Sequence, residues 1–162
     1  MSSQLNLIKK NIRSEMKSRL SLISPETLKG ESLQCCRIFL DSNMYRSSNA
    51  LSVYLSMPNE LQTSLIISTA LIDKKRVFIP KIIGPNSKDM VMVEIRSIEE
   101  IESFPKSKWG IPEPELSHDF KDPTLSGIID VICVPGCAFD TYFGRLGHGK
   151  GYYGNNICVS IK

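Results

Sequence analysis

Residues 50–80, ALSVYLSMPNELQTSLIISTALIDKKRVFIP, place one helical run between two apolar strand-like runs, and that order decides the fold. Ala50 to Ser56 reads as a strand buried on both faces, and it stops at Met57-Pro58-Asn59-Glu60 because proline cannot donate to a ladder. Thr63 is placed to cap a helix running to about Asp73, and Arg76 to Pro80 supply the next strand. Strand, helix and strand with short joins predict a right-handed parallel crossover. C-terminal to this unit, Met90 to Ile95 (MVMVEI) reads as a third strand and Ile128 to Pro135 (IIDVICVP) as a central one. Between them, residues 97–123 carry four prolines and predict an extended loop with one turn of helix at Ile98 to Ile101.

On the N-terminal side, Leu5, Ile8, Ile12, Met16 and Leu20 recur every three or four positions, the spacing of one apolar helix face. Lys9, Lys10, Arg13 and Lys17 fall on the other faces. Ser24-Pro25-Glu26 starts a second helix to about Leu40, with serine as cap and proline at the first helical position, and Asp41 to Ser48 is a polar connection. The expected fold class is α/β: a single domain with a mainly parallel sheet flanked by helices on both faces.

A chain of 162 residues with 41% hydrophobic content has material for one core and not for two ordinary domains. Twenty basic against seventeen acidic side chains give +3, enough for a small anionic ligand but short of a nucleic-acid footprint. The longest apolar runs are too short to span a bilayer, and the polar N-terminus lacks a signal-peptide block, so the expectation is a cytoplasmic protein. Cys35, Cys36, Cys133, Cys137 and Cys158 form an odd set without CxxC pairs, which fits free thiols. A zinc or redox site at Cys133 and Cys137 lacks further ligands nearby, and burial as small apolar side chains competes with it.

The chemistry concentrates in Gly144 to Tyr153, GRLGHGKGYY. Gly144, Gly147, Gly149 and Gly151 let a ligand approach the backbone and permit positive φ, so that successive N–H groups can converge on an anion. Arg145 offers a fork for a phosphate edge, and Lys150 a mobile point charge. The spacing is neither a Walker A loop nor GxGxxG. A tight surface turn with solvated charges is the plain alternative, against which Tyr152 and Tyr153 could stack on a flat ring. Lys9 and Arg13, four residues apart, point the same way and could close over phosphate or simply form a solvated face. Glu60 is open between helix-capping acid and hydrogen-bond acceptor for a ligand, and His148 between surface residue and ligand contact.

Five separated segments together resemble the 5-formyltetrahydrofolate cyclo-ligases, also called methenyltetrahydrofolate synthetases. They are KKxxRxxMKxRL at Lys9 to Leu20, YLSMPNE at Tyr54 to Glu60, KWGIPEPE at Lys108 to Glu115, VPGCAFD at Val134 to Asp140, and GRLGHGKGYY. The resemblance implies ATP-dependent ring closure. The formyl oxygen of 5-formyltetrahydrofolate takes the γ-phosphoryl group, the ten-position nitrogen attacks the activated carbon, and phosphate leaves to give 5,10-methenyltetrahydrofolate and ADP. It further implies that Lys9, Lys10, Arg13, Arg145, Leu146, Gly147, Gly149, Lys150 and Gly151 hold ATP. Arg145 and Lys150 then stand nearest the chemistry. Leu55, Glu60, His148, Gly149, Lys150, Gly151 and Tyr152 would face the folate, with Glu60 accepting from the pterin N–H edge.

The resemblance also implies magnesium, but the family's metal-binding aspartate position is Gly154 here, so no metal ligand is assigned. Residues 154–162 depart from the pattern, which raises the expectation of an incomplete domain over residues 1–153 followed by an unrelated tail. Such a chain would lack the family's last helix and strands, with marginal stability and doubtful turnover. The alternative function is a non-catalytic folate- or nucleotide-binding form, or an inactive splice or gene-model product. The expected partners are 5-formyltetrahydrofolate and ATP, with no nucleic acid, no membrane and a monomeric state.

Overall fold

The computed structural model describes residues 2–107, 110–118 and 120–157. Lys108 and Trp109 of the KWGIPEPE string, and Cys158 with residues 159–162 of the expected tail, lie outside the described residues. Helix α1 spans Ser2–Leu20 and α2 spans Pro25–Leu40, where the Ser24 side chain accepts from the Thr27 N–H and Pro25 sits in the first turn. Strand β1 (Ala50–Val53) leads through α4 (Ser64–Ile72) to β2 (Arg76–Ile82), and β3 (Met90–Ile95) follows. A short α3 (Asn43–Ser47) precedes β1. After β3 come α5 (Ile98–Ser103), β4 (Val131–Cys133), a hairpin of β5 (Ala138–Phe139) and β6 (Arg145–Leu146), and α6 (Tyr152–Ile157).

The main sheet has the order β3-β2-β1-β4. β1 pairs in parallel with β2 and with β4, whereas β2 pairs with β3 antiparallel, so the sheet is mixed and mostly parallel. Period-two alternation divides the core. Leu51, Val53, Val77, Ile79 and Ile95 face Cys36, Tyr45, Ile66, Ile67 and Ala70 on the helical layer of α2, α3 and α4. Ala50, Phe78, Met90 and Met92 face the other way and are covered by Tyr152 and Tyr153 of α6. All four residues of β1 are buried, as its sequence predicts.

Several boundaries differ from the sequence reading, each for a local reason. β1 ends at Val53, not Ser56, because the Thr63 hydroxyl donates to the Tyr54 carbonyl at 2.6 Å and Ser56 bonds Thr63 and Leu61, drawing the chain out of the ladder. That same engagement leaves Thr63 without a side-chain capping bond to α4. The connection at 41–48 contains α3, because Ser42 caps it and Tyr45 is buried with its hydroxyl donated to Asp73. Helix α5 runs two residues beyond the turn expected at Ile98 to Ile101, with the Ser97 side chain accepting from the Glu100 N–H.

β4 holds three residues and, among the described strands, lies at the sheet edge and not at its centre. Just before β4 the Asp130 N–H donates to the Ala50 carbonyl at 2.9 Å while its carboxylate takes the N–H groups of Asn49 and Ala50, so a side chain stands in for the ladder at this end. The apolar stripe of α1 is not buried either: Leu5, Ile8 and Ile12 are exposed, and Arg13 and Met16 are partly covered. No helix among the described residues is long and apolar enough to cross a membrane.

Candidate active site

Four separate pieces of chain meet beside the carboxyl end of β1: the middle of α1, the turn after β1, the segment after β4, and the glycine-rich run. The turn after β1 is held by its own acid. Glu60 N–H donates to the Met57 carbonyl at 3.0 Å, and the Met57 N–H donates back to Glu60 Oε2 at 3.0 Å. Gln62 Nε2 donates to the Glu60 carbonyl at 2.6 Å. The Glu60 carboxylate is therefore fixed and only 15% exposed. Glu60 does not cap α4, whose N-cap is Thr63; one carboxylate oxygen closes the turn on Met57 and the other lies 3.2 Å from His148 Nε2. Leu55, just upstream, packs partly buried against the main core.

The glycine-rich run starts within a hairpin, which the sequence reading did not foresee. Asp140 Oδ1 accepts the N–H groups of Tyr142 and Gly144 at 2.8 and 2.7 Å, and a Cβ at Gly144 would collide with that carboxylate. Gly144 thus serves the turn. Of the four glycines, Gly149 (φ 109°) and Gly151 (φ 79°) take the left-handed region, whereas Gly144 and Gly147 do not. Left-handed glycine backbone is therefore confined to positions 149 and 151 of this run, a shorter stretch than the sequence suggested.

A cation of the first helix borders that stretch. Arg13 Nε donates to the Gly147 carbonyl at 2.8 Å, fixing α1 to the loop, and a Cβ at Gly149 would lie 3.6 Å from the Arg13 guanidinium carbon. Lys9, one turn earlier on the same side of α1, and Lys10 are exposed. Arg145 Nε donates to the Pro135 carbonyl at 2.7 Å, and its guanidinium lies over the Tyr153 ring, 5.4 Å from the centroid. Desolvation lowers its pKa, yet an arginine remains charged at any working pH. Lys150 is exposed in the loop between the two left-handed glycines. Leu146 and Gly147 are partly covered.

Tyr152 donates its hydroxyl to the Gly84 carbonyl at 3.1 Å and, with Tyr153, packs on the Phe78 face of the sheet. Both rings thus anchor α6 to the core. One contact the sequence reading passed over is Cys137 Sγ, 3.2 Å from His148 Nδ1. The two residues lie eleven apart with no motif linking them, so only the hairpin between them reveals the pair.

The arrangement suits a polyanion bound between α1 and the loop, with a hydrogen-bonding ligand beside Glu60. A side chain at Gly149 would fill the space next to Arg13, as expected of a phosphate cradle. A divalent metal fits less well. Among the described residues no group of three or more His, Cys, Asp or Glu side chains could hold an ion, and Gly154 has no donor side chain. A groove of about 310 Å³ lined by Arg76, Phe78, Met92, Glu94 and Phe120 lies on another part of the sheet and includes none of these site residues.

A sequence model of the 5-formyltetrahydrofolate cyclo-ligase family matches residues 6–161. The chain belongs to that family. The chain is 38% identical over 149 residues to the 5-formyltetrahydrofolate cyclo-ligase of Mus musculus, covering 92% of this chain and 73% of the mouse protein. It is 36% identical over 152 residues to a probable 5-formyltetrahydrofolate cyclo-ligase of Caenorhabditis elegans, covering 93% and 73%. The NMR structure of Aquifex aeolicus 5,10-methenyltetrahydrofolate synthetase superposes with a TM-score of 0.74 at 22% identity, over 93% of this chain and 72% of that one. The superposition shows that the two share a fold, and the family to which the chain belongs is one of ligases.

Proposed function

We propose that this chain catalyses the ATP-dependent closure of 5-formyltetrahydrofolate to 5,10-methenyltetrahydrofolate, releasing ADP and phosphate. The observation that carries the reading is the Arg13–Gly147 bond, which puts a cation of the first helix beside the left-handed glycines of the loop. ATP phosphates lie in this cradle, between Arg13, Arg145 and Lys150 and the N–H groups around Gly149 and Gly151, with Lys9 and Lys10 at its outer edge. The folate lies against Leu55 and the loop, with its pterin N–H edge toward Glu60, whose position is fixed by Met57.

An amide oxygen leaves poorly until it is phosphorylated, and phosphoryl transfer needs positioning and charge neutralisation more than covalent help from the protein. Arg145 holds a fixed charge, because Pro135 and the Tyr153 ring hold its guanidinium in place. Lys150, on an exposed and mobile stem, follows the phosphoryl group as it moves. His148 bonds Glu60 from within the loop and so links the folate side to the phosphate side by one contact. No step is assigned to magnesium, since the described side chains do not form a site for it.

The reading is tested by measuring ADP release from ATP by the full chain with and without 5-formyltetrahydrofolate. Release that requires the folate supports coupled ring closure. Folate-independent release, or none with both ligands bound, contradicts it.

A further inference from the structure

Cys137, His148 and Glu60 form a continuous relay. Sγ lies 3.2 Å from His148 Nδ1, and His148 Nε2 lies 3.2 Å from Glu60 Oε1. The tautomer with hydrogen on Nε2 satisfies both contacts, donating to the carboxylate and accepting from the thiol. Glu60 in turn is held by the Met57 N–H at its other oxygen, so the imidazole has a fixed partner. Thiol, imidazole and carboxylate in this order are the parts of an activated nucleophile, with base and orienting acid in hydrogen-bond reach. The ring closure proposed above uses no thiol.

We propose that Cys137 is a modification site that exchanges with small anionic disulfides. The Sγ proton passes to His148 Nδ1, and Glu60 compensates the imidazolium. The thiolate attacks one sulfur of the disulfide, forming a new S–S bond to Cys137 as the original S–S bond breaks. The departing thiolate takes the proton from His148, so one disulfide and one thiol become one mixed disulfide and one thiol, with no other oxidant.

Surroundings set the choice of reagent. Burial holds the Cys137 thiol above its ordinary value and Glu60 adds to this, while the guanidiniums of Arg13 and Arg145 offset part of it, so ionisation depends on the proton transfer to His148. Two cations against one anion acting on the thiol favour an incoming reagent of negative charge. Other thiols provide internal references. Cys35 is exposed, and burial pushes the Cys133 thiol up to about 11.

The test incubates the full chain with oxidised glutathione and, separately, with cystamine, a cationic disulfide, and follows each cysteine by peptide mass spectrometry. Cys137 should take up glutathione at least about tenfold faster than Cys35, and His148→Ala should remove about tenfold or more of that rate while leaving Cys35 unchanged. Relative to Cys35, glutathione should be preferred over cystamine at Cys137. Equal rates at Cys137 and Cys35, no response to His148→Ala, or a preference for cystamine would each overturn the proposal. Because the readout is on the cysteine itself, it does not depend on the folate assignment of Glu60 and His148. His148 is 53% exposed, so the alanine variant removes little packing.

Discussion

Nε of Arg13, midway along the first helix, lies 2.8 Å from the carbonyl oxygen of Gly147, 134 residues further along the chain. This bond joins the two ends of the described fold at the point where the loop turns left-handed. A charged donor in such a place fixes the loop and brings a positive charge beside it. Arg13→Ala should weaken ATP binding about 10- to 100-fold, the loss of about 1.5–3 kcal/mol typical of a charge-assisted bond, as read by calorimetric titration. Unchanged affinity would separate the helix from the nucleotide site.

Gly149 and Gly154 make a matched pair for testing the loop. At Gly149 φ is 109°, and an added Cβ would sit against Arg13, whereas at Gly154 there is nothing within 4 Å and the residue lies inside α6. Gly149→Ala should cost about 1–3 kcal/mol in stability through backbone strain and also reduce ATP affinity. Gly154→Ala should leave affinity unchanged and raise stability by about 0.5–1 kcal/mol, since alanine suits a helix better. Urea melts of the two variants, run without and with ATP, read both effects.

Leu51 is fully buried at the centre of the sheet, with parallel neighbours on both sides at Val77 and Val131. Truncating it leaves a cavity that rigid strands cannot close. Leu51→Ala should cost about 2–5 kcal/mol, lowering the urea midpoint without changing the slope.

Arg76 Nε and Nη2 grip both oxygens of Glu94 at 2.7 Å across β2 and β3. That hydrogen-bonded guanidinium lowers the Glu94 pKa. A lowered folded-state pKa means that the stabilisation is present above the unfolded carboxylate pKa and is lost as pH falls through the folded one. Both side chains are half-exposed, so Glu94→Gln should cost about 0.2–1 kcal/mol at pH 7, and nothing once the pH is below the folded value. Urea midpoints of both proteins across the acid range check the sign.

The sequence carried the parallel β1–α4–β2 unit well, because Ala50–Val53 and Arg76–Ile82 are apolar runs with a helix-length segment between them. It carried the glycine-rich loop by composition alone. What it did not carry depends on contacts between distant residues. The end of β1 is set by the Thr63 hydroxyl, the position of β4 by the Asp130 carboxylate, and the Cys137–His148 pair by a two-strand hairpin too short to leave a pattern. The apolar spacing of α1 identified a helix correctly but overstated its burial, because periodicity reports a face and not what covers it.

The most direct measurement follows the absorbance of the methenyl product when the 162-residue chain is mixed with 5-formyltetrahydrofolate, ATP and magnesium, beside Arg145→Ala and Lys150→Ala. Product should form from the chain as it stands, with a fall of about 100-fold or more in either variant, the scale for losing a positioned charge from a transition state. No product from the unaltered chain, while titration shows that it binds both ligands, would contradict the cyclo-ligase reading.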